Sequence, residues 1–148
     1  MGLPGRKPTT NTEQLRNKTR SQSDWTEVLE VPYTGGAPDL PEFRTVITRN
    51  GQEDVRLQTM TGDWWAIVSV MPHCILWTDS DWMFALSTAL VADAAFCGVS
   101  SAATELRNRE KVLGTTVEYR RDLRIRYVDS PTITESAEVP NLADYRDL

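Results

Sequence analysis

A single histidine and two cysteines among 148 residues leave the chain little of the equipment of metal or thiol chemistry. His73, Cys74 and Cys97 are three donors with no fourth at ligand spacing, so no metal is expected. Each cysteine sits in an apolar stretch, where a free thiol behaves as a small hydrophobe, and two cysteines build no disulfide framework. A reducing compartment is the natural setting. Neither G-x-S-x-G nor G-x-x-x-x-G-K-[ST] occurs, which removes the serine elbow and the phosphate-cradling loop of ATP-driven motors. No catalytic residue and no cofactor is assigned, and any motor activity falls to a partner. No apolar run reaches the roughly 18 residues that suggest a membrane span, and the basic N-terminus leads into no apolar stretch of a secretory signal.

Positive charge is scarce overall and unevenly placed. The net charge is −5, yet residues 1–23 hold five bases (Arg6, Lys7, Arg16, Lys18, Arg20) against one acid, Glu13. Residues 24–104 hold three bases against eleven acids, and residues 129–148 one base against five acids. Between them, residues 105–128 carry seven bases and four acids. An acidic chain is no general nucleic-acid coat, but a local basic stretch can follow phosphates.

Residues 1–23 are polar, with two Pro and two Gly, and bury too little to offset the entropy of ordering. They read as a disordered basic arm. Residues 24–45 mix a short helical pattern at Trp25, Val28 and Leu29 with breakers at Pro32, Gly35, Gly36, Pro38 and Pro41. They predict an extended strap docked through Trp25, Tyr33, Leu40 and Phe43. Helical spacing of Trp64, Ile67, Val68 and Met71 predicts a helix over 61–71, stopped by Pro72. Thr78 caps the next helix, 79–97, with Asp79 and Asp81 in its first turn, where carboxylates favour the positive end of the helix dipole. This helix is apolar nearly all round, along Trp82, Leu86, Ala89, Leu90 and Phe96, and so asks to be buried on every side. Gly98 ends it. A third helix starts at Ser100 or Ser101 and runs past Leu106 to the weak point at Gly114, with Glu105 and Arg109 at pairing distance. Residues 119–128 offer both an alternating strand pattern and an Asp122–Arg126 helical pair; helix is the reading adopted. The fold expectation is therefore all-α: a compact core of three or four helices over 24–128 that also oligomerises, a disordered arm at 1–23 and an acidic tail at 129–148.

The candidate sites follow from charge and burial. Arg6, Lys7, Arg16, Lys18 and Arg20 are candidates for phosphate contact, unless the arm is merely a solubilising terminus. Arg107, Arg120 and Arg124 belong to a second basic cluster that could face DNA, although the interleaved acids favour a solvated, ion-paired face. Trp82, Leu86, Leu90 and Asp93 are the candidate oligomer interface. Asp93 falls inside the apolar stripe, where an unpaired carboxylate is costly. It needs either an Arg across an interface or a turn toward water.

Taken in order, these pieces resemble a known family. Gly2-Leu3-Pro4-Gly5-Arg6-Lys7-Pro8-Thr9 is similar to the G-R-K-P opening of phage small terminase subunits of the P27 (HK97-like) type. Trp64-Trp65-x-x-Val68 followed by Leu76-x-Thr78-x-x-Asp81 is similar to that family's helix, turn and second helix, and Leu106–Gly114 to the helix and glycine that follow. The "G-L-T-P-S-S-R" ending of many members is replaced here by Val128-Asp129-Ser130-Pro131-Thr132. The resemblance implies a non-catalytic subunit that recognises concatemeric double-stranded viral DNA and presents it to the large terminase subunit, the ATPase and nuclease. It also implies a ring-shaped homo-oligomer, no membrane partner, and work in the host bacterial cytoplasm during virion assembly. Two other classes stay open: a small DNA-binding transcriptional regulator, and a phage assembly adaptor that touches no DNA. The first should show a polar, base-reading second helix, for which 79–97 is too apolar. Salt-dependent DNA binding separates the second.

Overall fold

The computed structural model describes residues 24–130. Strand β1 (Thr26–Leu29) leads into an irregular strap, then β2 (Phe43–Thr48) and β3 (Gly51–Arg56). Helix α1 (Thr59–Val68) and a single 3-10 turn at Pro72–Leu76 follow, then α2 (Asp79–Phe96), α3 (Ser100–Leu113), α4 (Val117–Asp122) and β4 (Ile125–Val128). The all-α expectation is thus wrong. The helices are accompanied by two two-stranded sheets, one parallel (β1 with β4) and one antiparallel (β2 with β3).

The hairpin and the C-terminal strand have local causes, and β1 does not. In β2–β3 the register runs from Phe43 opposite Arg56 to Thr48 opposite Gly51. The chain reverses at Arg49-Asn50 and re-enters the sheet at Gly51, whose φ of +119° is open to glycine at no steric cost. Asn-Gly between two short runs is a hairpin signal, which the all-α expectation leaves out. At the C-terminal end, α4 stops at Asp122 because Arg124 takes a left-handed φ of 56°, which throws the chain into an extended strand. The chain follows the alternation of Leu123 to Tyr127, and not the Asp122–Arg126 helical spacing. The new strand pairs with Thr26–Leu29, in register from Thr26–Ile125 to Leu29–Val128. That partner lies at the other end of the chain, so no local pattern announces β1.

The helical signals hold more closely. Helix α1 starts at Thr59, two residues before the expected start at Thr61, and buries Thr61, Trp65 and Val68 on one face, with Ile67 turned outward. At α2 the Thr78 N–H and hydroxyl both donate to the Asp81 carboxylate, at 2.8 Å each. Those bonds, the backbone one first, hold the Asp81 pKa below the ordinary carboxylate value. Helix α3 ends where Gly114 turns left-handed (φ 70°) and donates its N–H to Glu110 O.

The core lies between α1, α2 and the 3-10 turn. Trp82 is its centre: its ring lies 4.8 Å from Trp77, 6.3 Å from Trp65 and 5.6 Å from Tyr33 of the strap. Ala85 and Ala89 continue the buried line along α2, and Val68, Met71, Cys74 and Leu113 close it. Burial pushes the Cys74 thiol up to about 12, and its sulfur lies 3.2 Å from Val68 O, so it is packing and not a nucleophile. The strap is tied down through Tyr33, whose N–H donates to Val70 O at 2.9 Å.

Replacing the central ring should empty the core. Trp82→Ala is expected to cost about 3–5 kcal/mol, enough to unfold a marginal domain of this size. Urea titration followed by near-ultraviolet circular dichroism checks this, and a stability change below about 1 kcal/mol would contradict the packing described.

Candidate nucleic-acid interface

Two buried polar clusters fix the surfaces on which function can be built. The first is centred on Asp93, fully buried in α2. One carboxylate oxygen accepts from the Gln58 N–H and the Thr61 hydroxyl, both at 2.7 Å; the other accepts from Arg44 Nε at 2.9 Å. Gln58 is the residue before α1, so Asp93 caps that helix from across the fold. Burial pushes the Asp93 pKa up. The bonds from Thr61, Gln58 and Arg44, together with the Arg44 charge, more than offset this and hold it below the ordinary value. The partner of Asp93 is therefore Arg44 from β2 of the same chain, and not an arginine across an interface or water at a turn.

The second cluster joins the 3-10 turn to the C-terminal strand. His73 is buried, with Nε2 2.6 Å from Leu113 O and Nδ1 2.6 Å from the Tyr127 hydroxyl. A carbonyl only accepts, so Nε2 carries the proton and Nδ1 accepts from the tyrosine. Burial is the main cause that lowers the His73 pKa; the Leu113 carbonyl works against it and the Arg120 charge adds to it. Arg120 lies over the Tyr127 ring at 4.7 Å and donates through Nη1 to Gly114 O and Thr115 O, at 3.1 and 3.3 Å. A Cβ on Gly114 would stand 3.2 Å from His73 Nε2 and 3.1 Å from Leu123 Cδ1, so both the space and the left-handed backbone call for glycine there.

The expected site residues divide accordingly. Arg6, Lys7, Arg16, Lys18 and Arg20 lie outside the described residues. Arg107 is exposed on α3, and Arg124 is exposed with Asp24 at 3.9 Å. Arg120 is held in the corner just described. Arg121 pairs loosely with Glu118 at 3.4 Å and Arg126 with Glu27, both pairs exposed. Trp82 and Asp93 turn their side chains into the chain's own interior, whereas Leu86 and Leu90 stay half-exposed on α2. Glu105 and Arg109 do pair, at 2.7 Å, and Arg109 also reaches Ser87 at 3.0 Å and covers the Phe84 ring, so it ties α3 to α2. Trp64 Nε1 donates to Glu110 at 3.0 Å and ties α1 to α3.

Two of the surface hollows adjoin the expected site residues. One, of about 660 Å³, lies between the hairpin base and the outer face of α2 and α3, and is lined by Phe43, Leu90, Val91, Ala94 and Ala102 among others. The other, of about 560 Å³, lies beside β4 and combines Trp25 and Tyr127 with Arg120, Arg121 and Arg126. The basic residues of this second hollow lie scattered through one basic stretch of sequence. Trp25 is legible there only as an anchor, because the pairing of β1 with β4 is what brings it to the hollow.

Among the described residues no group of three or more His, Cys, Asp or Glu is placed to hold a metal, and no helix is long and apolar enough to cross a membrane. The buried polar groups are structural ties, and the basic side chains on the surface stand among exposed carboxylates. The chain belongs to the phage terminase small subunit family, whose model matches residues 4–148. Comparison with curated proteins and with solved structures gives no match.

The two clusters predict a two-step acid response. His73 has a lowered folded pKa, so its contribution is complete above about pH 6.5 and declines as the pH falls from there toward the folded value. Asp93 is also lowered, so its contribution holds above about pH 4 and is lost as the pH falls through its folded value. Denaturant midpoints measured from pH 8 to pH 3 should show both declines. His73→Gln, which cannot titrate, should be less stable at neutral pH but lack the first decline. A wild-type midpoint unchanged between pH 7 and pH 5 would refute the buried neutral imidazole.

Proposed function

We propose that the chain recognises concatemeric double-stranded viral DNA and presents it to the large terminase subunit, which carries the ATPase and nuclease. Membership of the small terminase family across residues 4–148 is the observation that carries this reading. The family is the non-catalytic side of the packaging machine, and its place of work is the host bacterial cytoplasm during virion assembly. Within the family, the opening Gly5-Arg6-Lys7-Pro8 and the Leu76-x-Thr78-x-x-Asp81 segment support the P27 (HK97-like) type.

For DNA, Arg6, Lys7, Arg16, Lys18 and Arg20 provide the main electrostatic attachment, which is sequence-blind because phosphate contacts position without specifying. Arg107 and Arg124 are the secondary contacts. Arg120, already bonded to Gly114 and Thr115, serves by holding the adjoining surface in shape.

For assembly, a second copy covers the outer face of α2, in a closed homo-oligomeric ring. The half-exposed Leu86 and Leu90 and the apolar hollow beside Leu90 support this, since an uncovered apolar face is a poor surface for a free monomer. Trp82 and Asp93 act from beneath, by fixing the helix that presents these leucines.

Two experiments bear on the proposal. Deletion of residues 1–23 should weaken binding of labelled duplex and flatten its salt dependence by about 0.9 log unit for each phosphate no longer neutralised. Far-ultraviolet circular dichroism should stay close to that of the full chain. Equal duplex binding by the truncated protein, with weakened binding by the Arg107→Ala/Arg124→Ala variant, would move the site to the folded domain. Separately, Leu90→Arg should disperse the oligomer seen by sedimentation velocity, because it places an unpaired charge in the covered face. A wild-type chain that sediments as a monomer at micromolar concentration would exclude the ring.

A further inference from the structure

We propose that the hollow beside β4 is a binding site for an unpaired nucleotide, so that the chain holds single-stranded or locally opened DNA as well as duplex. The inference rests on the DNA-binding reading and adds a second class of DNA to it.

The hollow measures about 560 Å³, inside the range of about 300–1,000 Å³ for sites that take small organic groups. Its lining combines the two things a nucleotide needs, an aromatic surface and positive charge. Three arginines, Arg120, Arg121 and Arg126, line it with one carboxylate, Glu30, while Glu118 and Glu27 pair with Arg121 and Arg126 outside the lining. Arg120 is committed to the Gly114 and Thr115 carbonyls and to the Tyr127 ring, which makes it a fixed positive wall. Arg121 and Arg126 are different. Their partners, Glu118 and Glu27, are exposed, and exposed pairs are worth little, so both guanidinium groups can exchange a carboxylate for a phosphate at small cost.

The aromatic side points to a base. Tyr127 already has Arg120 over its ring and His73 beside it at 5.9 Å. Trp25 does not: among the described residues it has neither a ring nor a cation against it, and its indole N–H has no hydrogen-bond partner. A half-buried tryptophan left without these partners, in a hollow walled by arginines, is a stacking platform in want of a ring. A base paired within a duplex has both faces covered by its neighbours. Only an unstacked base can offer a face to Trp25, which selects single-stranded or opened DNA over intact duplex.

The pairing of β1 with β4 makes the site. Trp25 immediately precedes β1, and the Thr26 N–H donates to Arg124 O at 2.8 Å, which sets Trp25 beside Ile125, Arg126 and Tyr127.

The test uses full-length protein and fluorescence anisotropy with two labelled probes, a twelve-nucleotide single strand and a blunt duplex of the same length. Trp25→Leu should weaken the single strand at least fivefold and change duplex binding less than twofold, while Trp25→Phe retains most of the affinity. Arg126→Gln should weaken the single strand and reduce its salt slope by about 0.7 for the one phosphate left without its arginine. Arg49→Ala, which removes an equal charge at the hairpin turn, should leave the single strand unaffected. Equal weakening on both probes, or none, in Trp25→Leu overturns the proposal, as does displacement of the strand by millimolar deoxynucleoside monophosphate, which would make this a free-nucleotide site. If Trp25→Leu fails to fold, photo-crosslinking of an iodouracil-substituted strand to the unaltered protein decides. A crosslink at Trp25 or Tyr127 supports the site, and crosslinks confined elsewhere overturn it. Wild-type protein that binds neither probe would refute the DNA-binding reading itself, whereas duplex binding with an indifferent Trp25→Leu refutes only the nucleotide site.

Discussion

The buried Asp93 carboxylate joins parts of the chain that otherwise touch little. The β2–β3 hairpin is largely exposed, with Ile47 near its turn 81% exposed. Arg44 on β2 is what anchors it, through the ion pair to Asp93. The same carboxylate takes up the Gln58 N–H and Thr61 hydroxyl at the start of α1. One group on α2 thus sets the angle of the hairpin and the start of the preceding helix. Its three donors outweigh the cost of burial, which is why the charged form survives inside an apolar helix. Removing any donor leaves a buried charge only partly compensated, so hairpin, α1 and α2 respond together.

A similar economy governs the arginines. From the sequence, the second basic cluster is one undivided group of seven bases. The fold sorts it. Arg109 ties α3 to α2, and Arg120 closes the corner of Gly114, Thr115 and Tyr127. Arg121 and Arg126 hold only exposed, exchangeable carboxylates, and Arg107 stands on the open face of α3. The charge of this cluster that is not tied into the fold is therefore smaller than composition suggests, and part of it, Arg121 and Arg126, stands beside Trp25.

What is legible in the sequence follows the range of the interactions involved. The Thr78–Asp81 cap, the Glu105–Arg109 pair and the Gly114 stop act within a few residues, and each stands where the spacing places it. That a buried Asp93 needs a partner is legible too, but which one is not: Arg44 lies on a hairpin whose only local signal is the short Asn50-Gly51 pair. Least legible is β1, since Thr26–Leu29 gains its conformation from a strand at the other end of the chain. The basic hollow inherits that difficulty, because Trp25 and Tyr127 meet only through this pairing. The family resemblance is legible from the order of short segments, each of them unspecific alone.

The parallel pairing of Thr26–Leu29 with Ile125–Val128 also dictates an order of events during synthesis. The hairpin and each helix cap close loops of a few residues and can form on the ribosome as soon as they emerge. The parallel sheet must instead close a loop spanning almost the whole domain, and loop entropy places such contacts late in folding. Until Val128 has been released, Trp25 has no β4 to lie beside, and the Tyr127 hydroxyl that His73 accepts from is missing. A chain truncated before Ile125 lacks the strand that joins the two ends of the described domain.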